Sequence, residues 1–129
     1  MASGLPAVTG DVLTASTFNG LITFTVGTAN TADYTAVLTD QYQVLSLMNK
    51  ATAIAFKIPT NASVAFPIGT ALTILNIGAG ICTISAVTPG TTTILSAGAT
   101  AASPTIAQYK SAVCIKTATD AWYVVGAIA

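Results

Sequence analysis

Short segments of alternating apolar and polar residues run along most of this chain, and turn-forming residues separate them. The segments start about 8 to 12 residues apart, with Gly, Pro, Asn or Asp in the gaps, a spacing typical of β-sandwiches and barrels. No segment has a helical period long enough to compete. The pattern predicts an all-β fold, a small jelly-roll-like β-sandwich. The predicted strands are residues 21–26, 34–38, 44–48, 53–58, 72–77, 81–86, 92–96, 111–117 and 121–127.

Glycine, proline and asparagine mark the predicted corners. In the corner NIGAG, residues 76–80, we expect the glycines to adopt positive φ, where a Cβ would clash. Pro59 ends one strand and Pro67 delays the next, since neither can donate to a ladder. Residues 117–120 predict a polar hairpin turn in which Asp120 accepts backbone hydrogen bonds.

The first thirty residues differ from the rest, with early Gly and Pro and weak alternation. They predict an extended N-terminal arm, residues 1–30, ahead of a β-sandwich domain, residues 31–129. An arm of this kind gains little by packing on its own domain. Laid along a neighbouring molecule, it can add a strand or fill a groove.

Charged residues are scarce: they make up 6% of the chain, against roughly 25% in an ordinary soluble domain. Four Asp and four Lys give a net charge of zero, and there is no Glu, Arg or His. Four dispersed Lys cannot form the basic stripe that nucleic-acid binding needs. A neutral surface rich in Thr and Ala also lacks the charge repulsion that keeps proteins apart, so it favours association.

Membrane insertion is not expected, although 53% of the residues are hydrophobic. Residues 63–87 carry no charge, but Pro67, Gly69, Gly78 and Gly80 interrupt them. A spanning helix needs about 20 consecutive apolar residues. The segments are also too short, and their aromatics too scattered, for a membrane β-barrel. No basic region precedes a hydrophobic stretch at the N-terminus, so no secretory leader is expected.

Side chains suited to catalysis are few, because the chain has neither His nor Glu. Two carboxylates could form a glycosidase or aspartic dyad, but their positions favour turn-forming, solvent-facing roles. These carboxylates are Asp11, Asp33, Asp40 and Asp120. A Ser or Thr nucleophile with Lys as base stays formally open, although no nucleophile elbow is present. We therefore expect a protein that is not an enzyme, without catalytic, cofactor-binding or metal-binding residues.

The two cysteines, Cys82 and Cys114, lie in apolar, β-branched segments. We expect buried free thiols that pack as small hydrophobes. A disulfide between adjacent strands is the alternative. Two Cys without His form neither a zinc site nor an activated nucleophile.

The aromatic residues leave a sugar-binding shelf open as an alternative to core or interface packing. In the pair Trp122-Tyr123, alternation along a strand turns one ring to the core and the other outward. Packing is the favoured interpretation, because such rings are usually buried. The candidate platform residues are Trp122, Tyr123, Tyr109, Tyr34 and Tyr42.

Two motifs carry a family resemblance: the corner P-x-N-x-S-x-x-F-P-x-G-T at residues 59–70, and the ending KTATDAWYVVGAIA around an aromatic pair. With them, residues 34–129 resemble a small β-sandwich module of virion proteins of tailed bacteriophages, of the cyanophage and marine-phage type. The resemblance implies a trimer in which the corner residues are architectural and none is catalytic. The corner residues are Pro59, Asn61, Ser63, Phe66, Pro67, Gly69 and Thr70.

The resemblance implies a structural protein of the virion. Because only a short arm precedes the module, we expect a capsid decoration, or cement, protein on the outer capsid surface. It would be a homotrimer bound to the major capsid protein, and it would stabilise the shell by burying interface. The alternative is a tail-fibre or tail-tip module that binds host surface glycan. A lectin-like host domain ranks third.

Overall fold

The computed structural model describes Ala15 and residues 23–98 and 100–129. In this part of the chain, ten strands form two sheets, and a short 3₁₀ helix (Leu38–Gln41) lies between two of the strands. The predicted all-β class with two sheets is therefore confirmed. The strands are β1 (Thr25–Val26), β2 (Tyr34–Thr35), β3 (Val44–Met48), β4 (Ile54–Ile58), β5 (Ala71–Asn76), β6 (Cys82–Ala86), β7 (Thr93–Ser96), β8 (Thr105–Ile106), β9 (Lys110–Ala118) and β10 (Ala121–Gly126).

The first six strands wind around the core as a coil. Strands β1, β3 and β5 are parallel neighbours in a six-stranded sheet, and β2, β4 and β6 are parallel neighbours in a four-stranded sheet. The chain therefore changes sheet after every strand, which lets parallel neighbours form without connecting helices. The hairpin β9–β10 then extends the six-stranded sheet in antiparallel fashion, with β7 at its far edge, and β8 ends the four-stranded sheet.

The jelly-roll detail of the prediction is wrong. A jelly roll consists of antiparallel strands in Greek-key order. Among the described residues, five of the eight strand pairs are parallel. Alternating apolar and polar residues determine which face of a strand is buried, but not the direction of its neighbour.

Seven of the nine predicted strands match observed strands to within one residue at each end. Residues 21–26 are a strand only at Thr25–Val26, and residues 21 and 22 lie outside the described part. Residues 34–38 leave the sheet after Thr35, because the chain then turns into the 3₁₀ helix. Strand β8 was not predicted, since two residues are too few to show alternation.

Most of the predicted arm, residues 1–30, lies outside the described residues, and so does Asp11. At its described end, β1 pairs with Val44 and Leu45 of β3, and Asn30 forms a bridge with Met48. The six-stranded sheet therefore includes residues that the sequence analysis assigned to the arm.

The core lies between the two sheets, and most of its residues are alternate positions of strands β3 to β10. Rings from different elements meet there: Phe66 and Trp122 pack edge to face with centroids 5.6 Å apart, and Tyr34 packs against Phe56 at 5.7 Å. Large side chains that are at least 98% buried include Trp122, Phe56, Met48, Ile58, Leu72, Ile74, Ile84, Ile106 and Val124.

The corner at residues 76–80 stacks directly on the preceding corner of the coil. The Gly80 amide donates to the Lys50 carbonyl at 2.9 Å, and the Ile77 amide donates to the Met48 carbonyl at 2.9 Å. A Cβ at Gly78 would overlap the backbone of Lys50, and one at Gly80 would overlap the backbone of Thr52. Neither glycine has positive φ. The expected role of these glycines is therefore wrong: they provide space for a neighbouring backbone.

Replacing Gly80 with Ala is expected to lower the free energy of unfolding by about 1–3 kcal/mol, because the stacked corners must separate to admit the methyl group. Urea denaturation followed by circular dichroism measures the change. Gly90→Ala is the matched control, since nothing lies within 4 Å of a Cβ at Gly90. Equal stability of the two variants would contradict the proposed stacking role.

Candidate functional site

The outer faces of the two sheets differ in chemistry. On the four-stranded sheet, the residues between the buried positions are mostly hydroxyl-bearing, with one lysine. The Lys57 amine lies 3.9 Å from the Asp33 carboxylate, and both side chains are substantially exposed. The residues of this face are Thr35, Ala55, Lys57, Thr83, Ser85 and Thr105. Such a face is well suited to contact with water.

Among the residues that the structure describes, the outer face of the six-stranded sheet carries no charged side chain. Strand pairing aligns its residues into three rows that cross neighbouring strands. The middle row consists of Val26, Leu45, Thr73, Val113 and Val125. On one side of it lie Ala71, Ile115, Tyr123 and Leu95, and on the other lie Leu47, Leu75 and Ser111. We call this set the apolar face.

Several side chains of the apolar face extend into solvent. The exposed fractions of Leu95, Tyr123, Val125 and Val26 are 43%, 47%, 49% and 60%. Their neighbours in the middle strands are half-buried because adjacent side chains cover them. Contiguous apolar surface of this kind marks interaction sites, and burying one such side chain fully is worth about 1.5–3 kcal/mol.

An open groove of about 570 Å³ continues the apolar face at the start of β5. It shares Ala71 and Thr73 with that face, and Phe24 and Ile68 lie on its walls. Phe24 is 56% exposed and Ile68 is 66% exposed. The candidate contact surface therefore extends beyond the strands to the loop at residues 67–70.

A buried lysine fastens the predicted corner, residues 59–70, to β9. The Lys116 amine donates to Asn61 Oδ1 at 2.5 Å and to the Phe66 carbonyl at 2.7 Å. The backbone of Lys116 also bonds to the corner, through the Gly69 amide at 2.8 Å and the Thr70 carbonyl at 2.9 Å. The residue is only 3% exposed. Sequence reasoning missed Lys116, although alternation along SAVCIKT already places it in phase with Cys114.

The other corner residues take local structural positions. Pro59 is buried directly after β4, and the hydroxyls of Thr60 and Ser63 lie 3.2 Å apart. The Thr70 hydroxyl donates to the Pro67 carbonyl at 2.7 Å. Gly69 has φ of +94°, a left-handed conformation that favours glycine. Together with Asn61 and Phe66, these contacts account for the spacing of the motif by packing and hydrogen bonding.

Asp120 connects the β9–β10 turn to two other loops. Its Oδ1 accepts from the Asn61 amide at 2.8 Å and from the Thr92 hydroxyl at 3.2 Å. The residue occupies the predicted turn, with φ of +53°. Its side-chain partners, however, lie in distant loops rather than in its own turn.

The prediction that the carboxylates face solvent is wrong for Asp40, which is 5% exposed. Its Oδ2 accepts from the Tyr34 hydroxyl at 2.7 Å and from the Val37 amide at 2.9 Å, which holds the start of the 3₁₀ helix. Burial, the hydrogen bond and the negative charge of Asp40 together raise the pKa of Tyr34. Asp33 is exposed as predicted and accepts from the Ala55 amide at 2.9 Å. These carboxylates occupy separate structural sites and form no acidic pair.

The aromatic candidates do not converge on one platform. Trp122 is buried in the core, and Tyr123 points outward from the same strand, as predicted. Tyr42 precedes β3, and Tyr109 precedes β9. Because β3 is parallel to β5 and β9 is antiparallel to β5, the two tyrosines lie at opposite ends of the sheet. Tyr34 packs against Phe56. The described aromatics therefore form no shared sugar shelf.

Both cysteines are free and buried, which confirms the favoured interpretation over the disulfide. Cys82 belongs to β6 of the four-stranded sheet and Cys114 to β9 of the six-stranded sheet. Burial raises the pKa of the Cys82 thiol to about 11 and also raises the pKa of Cys114. Both thiols therefore pack as neutral apolar groups.

Within the described ranges, no three His, Cys, Asp or Glu residues cluster as a metal site would require. No helix among the same residues is long and apolar enough to cross a membrane. No family model, curated protein or solved structure matches this chain. The resemblance to a phage virion module therefore stays a prediction.

The free energy of unfolding is expected to fall as the pH rises above about 8.5, where thiols of the unfolded chain begin to ionise. The folded protein keeps Cys82 protonated until its pKa of about 11, so the unfolded state loses protons first. Denaturant titrations across this pH range measure the slope.

Cys82→Ala is expected to make that slope shallower, and the slope left by Cys114 and Tyr34 serves as the internal reference. Native protein should also resist alkylation by iodoacetamide while urea-unfolded protein reacts. Equal alkylation rates, or a slope unchanged by Cys82→Ala, would contradict thiol burial as the cause.

Proposed function

We propose that this protein is a structural subunit that assembles through its apolar face, and that its setting is the virion of a tailed bacteriophage. In this proposal it decorates the outer capsid surface as a homotrimer bound to the major capsid protein. The observation that supports assembly most directly is the uncharged, partly exposed face of one sheet beside the hydroxyl-rich face of the other. The sequence resemblance supports the viral setting.

A second copy of the same chain is the favoured occupant of the apolar face. Two copies of a face without charges can approach each other without electrostatic repulsion. The whole chain has no net charge, so two copies do not repel each other at longer range either. Six strands span about 24 Å across and about 17 Å along, or about 400 Å². A standard interface buries about 800 Å² on each partner, so the adjoining groove and loops would have to contribute as well.

A threefold arrangement uses the two ends of the apolar face differently. Each copy in a trimer meets two neighbours, so its contact surface has two unlike halves. The apolar face has such halves: Val26 and Leu45 lie toward β1, whereas Leu95 and Tyr123 lie toward β7. We propose that the half near β7 of one copy packs on the half near β1 of the next.

The mechanism in this proposal is mechanical. Apolar side chains that water covers in the monomer become buried between copies, and the free energy of that burial holds the trimer together. Residues 1–24, the part of the predicted arm that precedes β1, would link each trimer to the shell. Decoration would then resist expansion of the shell under the pressure of packaged DNA.

The tail-tip alternative has one observation in its favour. Tyr109 is 74% exposed and holds a left-handed turn conformation with φ of +62°, so it projects from the surface. One exposed ring can stack on a sugar, but no second described aromatic lies beside it. Binding of the protein to host cells or lipopolysaccharide, with capsids stable in its absence, would favour this alternative.

Val125→Lys is expected to weaken self-association at least about tenfold, because a charge buried in an apolar interface costs more than the 1.4 kcal/mol that a factor of ten requires. Val125 is half exposed, so the substitution leaves the core intact. Sedimentation velocity over a concentration series measures the change.

Thr83→Lys is the matched control, since it places the same charge on the outer face of the four-stranded sheet. The control should assemble like the parent protein. A parent chain that sediments as a monomer at all concentrations, or equal effects of the two variants, would contradict assembly through the apolar face.

Deleting residues 1–20 is expected to abolish attachment to capsids while the oligomer persists. Cosedimentation with capsids that lack the protein measures attachment, and sedimentation of the truncated protein alone measures oligomerisation. Capsids without the protein should also rupture more readily on osmotic shock. Full capsid binding by the truncated protein would contradict the role of the arm.

A further inference from the structure

The buried Lys116 amine lies against the carboxamide of Asn61, which is half-buried. The Nζ–Oδ1 distance is 2.5 Å, shorter than the 2.7 Å of the Tyr34–Asp40 and Thr70–Pro67 hydrogen bonds. We propose that these two side chains join covalently, forming an isopeptide bond between Lys116 Nζ and Asn61 Cγ. This proposal is independent of the proposed function.

The surroundings favour attack of the amine on the carboxamide. The Phe66 carbonyl, 2.7 Å from the amine, holds Nζ beside the Asn61 side chain. Asp120 accepts from the Asn61 amide and thereby positions the main chain of Asn61. Groups held in this way react far faster than free groups in solution, because the entropy of bringing them together has already been lost.

The reaction balances without another reactant. The nitrogen lone pair of the Lys116 amine attacks Asn61 Cγ, and a new C–N bond forms. The Cγ–Nδ2 bond then breaks, and the departing nitrogen takes up the proton that the amine gives off, leaving as ammonia. No oxidation or reduction takes place, and the product is a secondary amide between residues that are 55 positions apart in sequence.

The product would tie the corner at residues 59–70 to β9 by a covalent bond. Lys116 is an inward-facing residue of β9, which lies between β5 and β10 in the six-stranded sheet. Phe66, which packs edge to face on Trp122 of the neighbouring strand β10, would lie within the segment that the bond closes. The site is therefore one at which a cross-link would fasten existing native contacts.

The intact mass of the full chain, measured after purification and complete denaturation, tests the proposal. The mass is expected to be lower than that of the sequence by one ammonia. Proteolysis should yield a branched peptide that joins the segments around Asn61 and Lys116, and trypsin should fail to cleave after Lys116. A measured mass equal to the full mass of the sequence, with both peptides linear, would overturn the proposal.

Three variants distinguish ammonia loss through isopeptide formation from ammonia loss through other reactions. Lys116→Met and Asn61→Ala should each show the full sequence mass. Ammonia loss that persists in Lys116→Met would indicate a succinimide at an asparagine and would overturn the proposal. Asn61→Asp should lose water instead of ammonia, so its product should have the same mass as the reacted parent protein. Should a variant fail to fold, the mass and the branched peptide of the parent chain still decide.

Discussion

The attachment of the corner at residues 59–70 to β9 is the interaction on which the rest of the fold depends. The corner joins β4 of one sheet to β5 of the other, so its position sets how the sheets face each other. Lys116 holds it through side chain and backbone, and Phe66 from the same corner packs on Trp122. Loss of these acceptors would leave the buried amine without a partner and would strongly destabilise the fold. Asn61 therefore has a structural role at its position in the corner.

The scarcity of charge follows from how the polar groups are used. Asp40, Asp120 and Lys116 each satisfy buried or half-buried hydrogen-bonding groups in loops and corners. Asn76, which is completely buried, bonds to Gly80 and to the Ile106 carbonyl. Lys57 lies on the outer face of the four-stranded sheet. These polar groups therefore lie in the loops or on the outer face of the four-stranded sheet, and none of them lies on the apolar face.

The sequence predicted the strands well because alternation is a local signal, and seven of the nine segments have correct limits. Strand direction and order depend on contacts between distant segments, so the parallel coil could not be read from local patterns. For the same reason, the glycines at 78 and 80 were assigned to the turn rather than to the close approach of another backbone. Lys116 was missed because a lysine is usually solvated, and its acceptors lie 50 and 55 residues away.

The way the sheets end supports the apolar face, rather than a strand edge, as the proposed contact surface. The four edge strands β1, β7, β2 and β8 are only two to four residues long. Edges this short offer few free backbone groups for strand addition, a known device against uncontrolled growth of sheets. The in-register rows instead gather Val, Leu, Ile and Tyr from neighbouring strands into one continuous area. A chain built in this way can associate through side-chain burial while its short edges limit open-ended polymerisation.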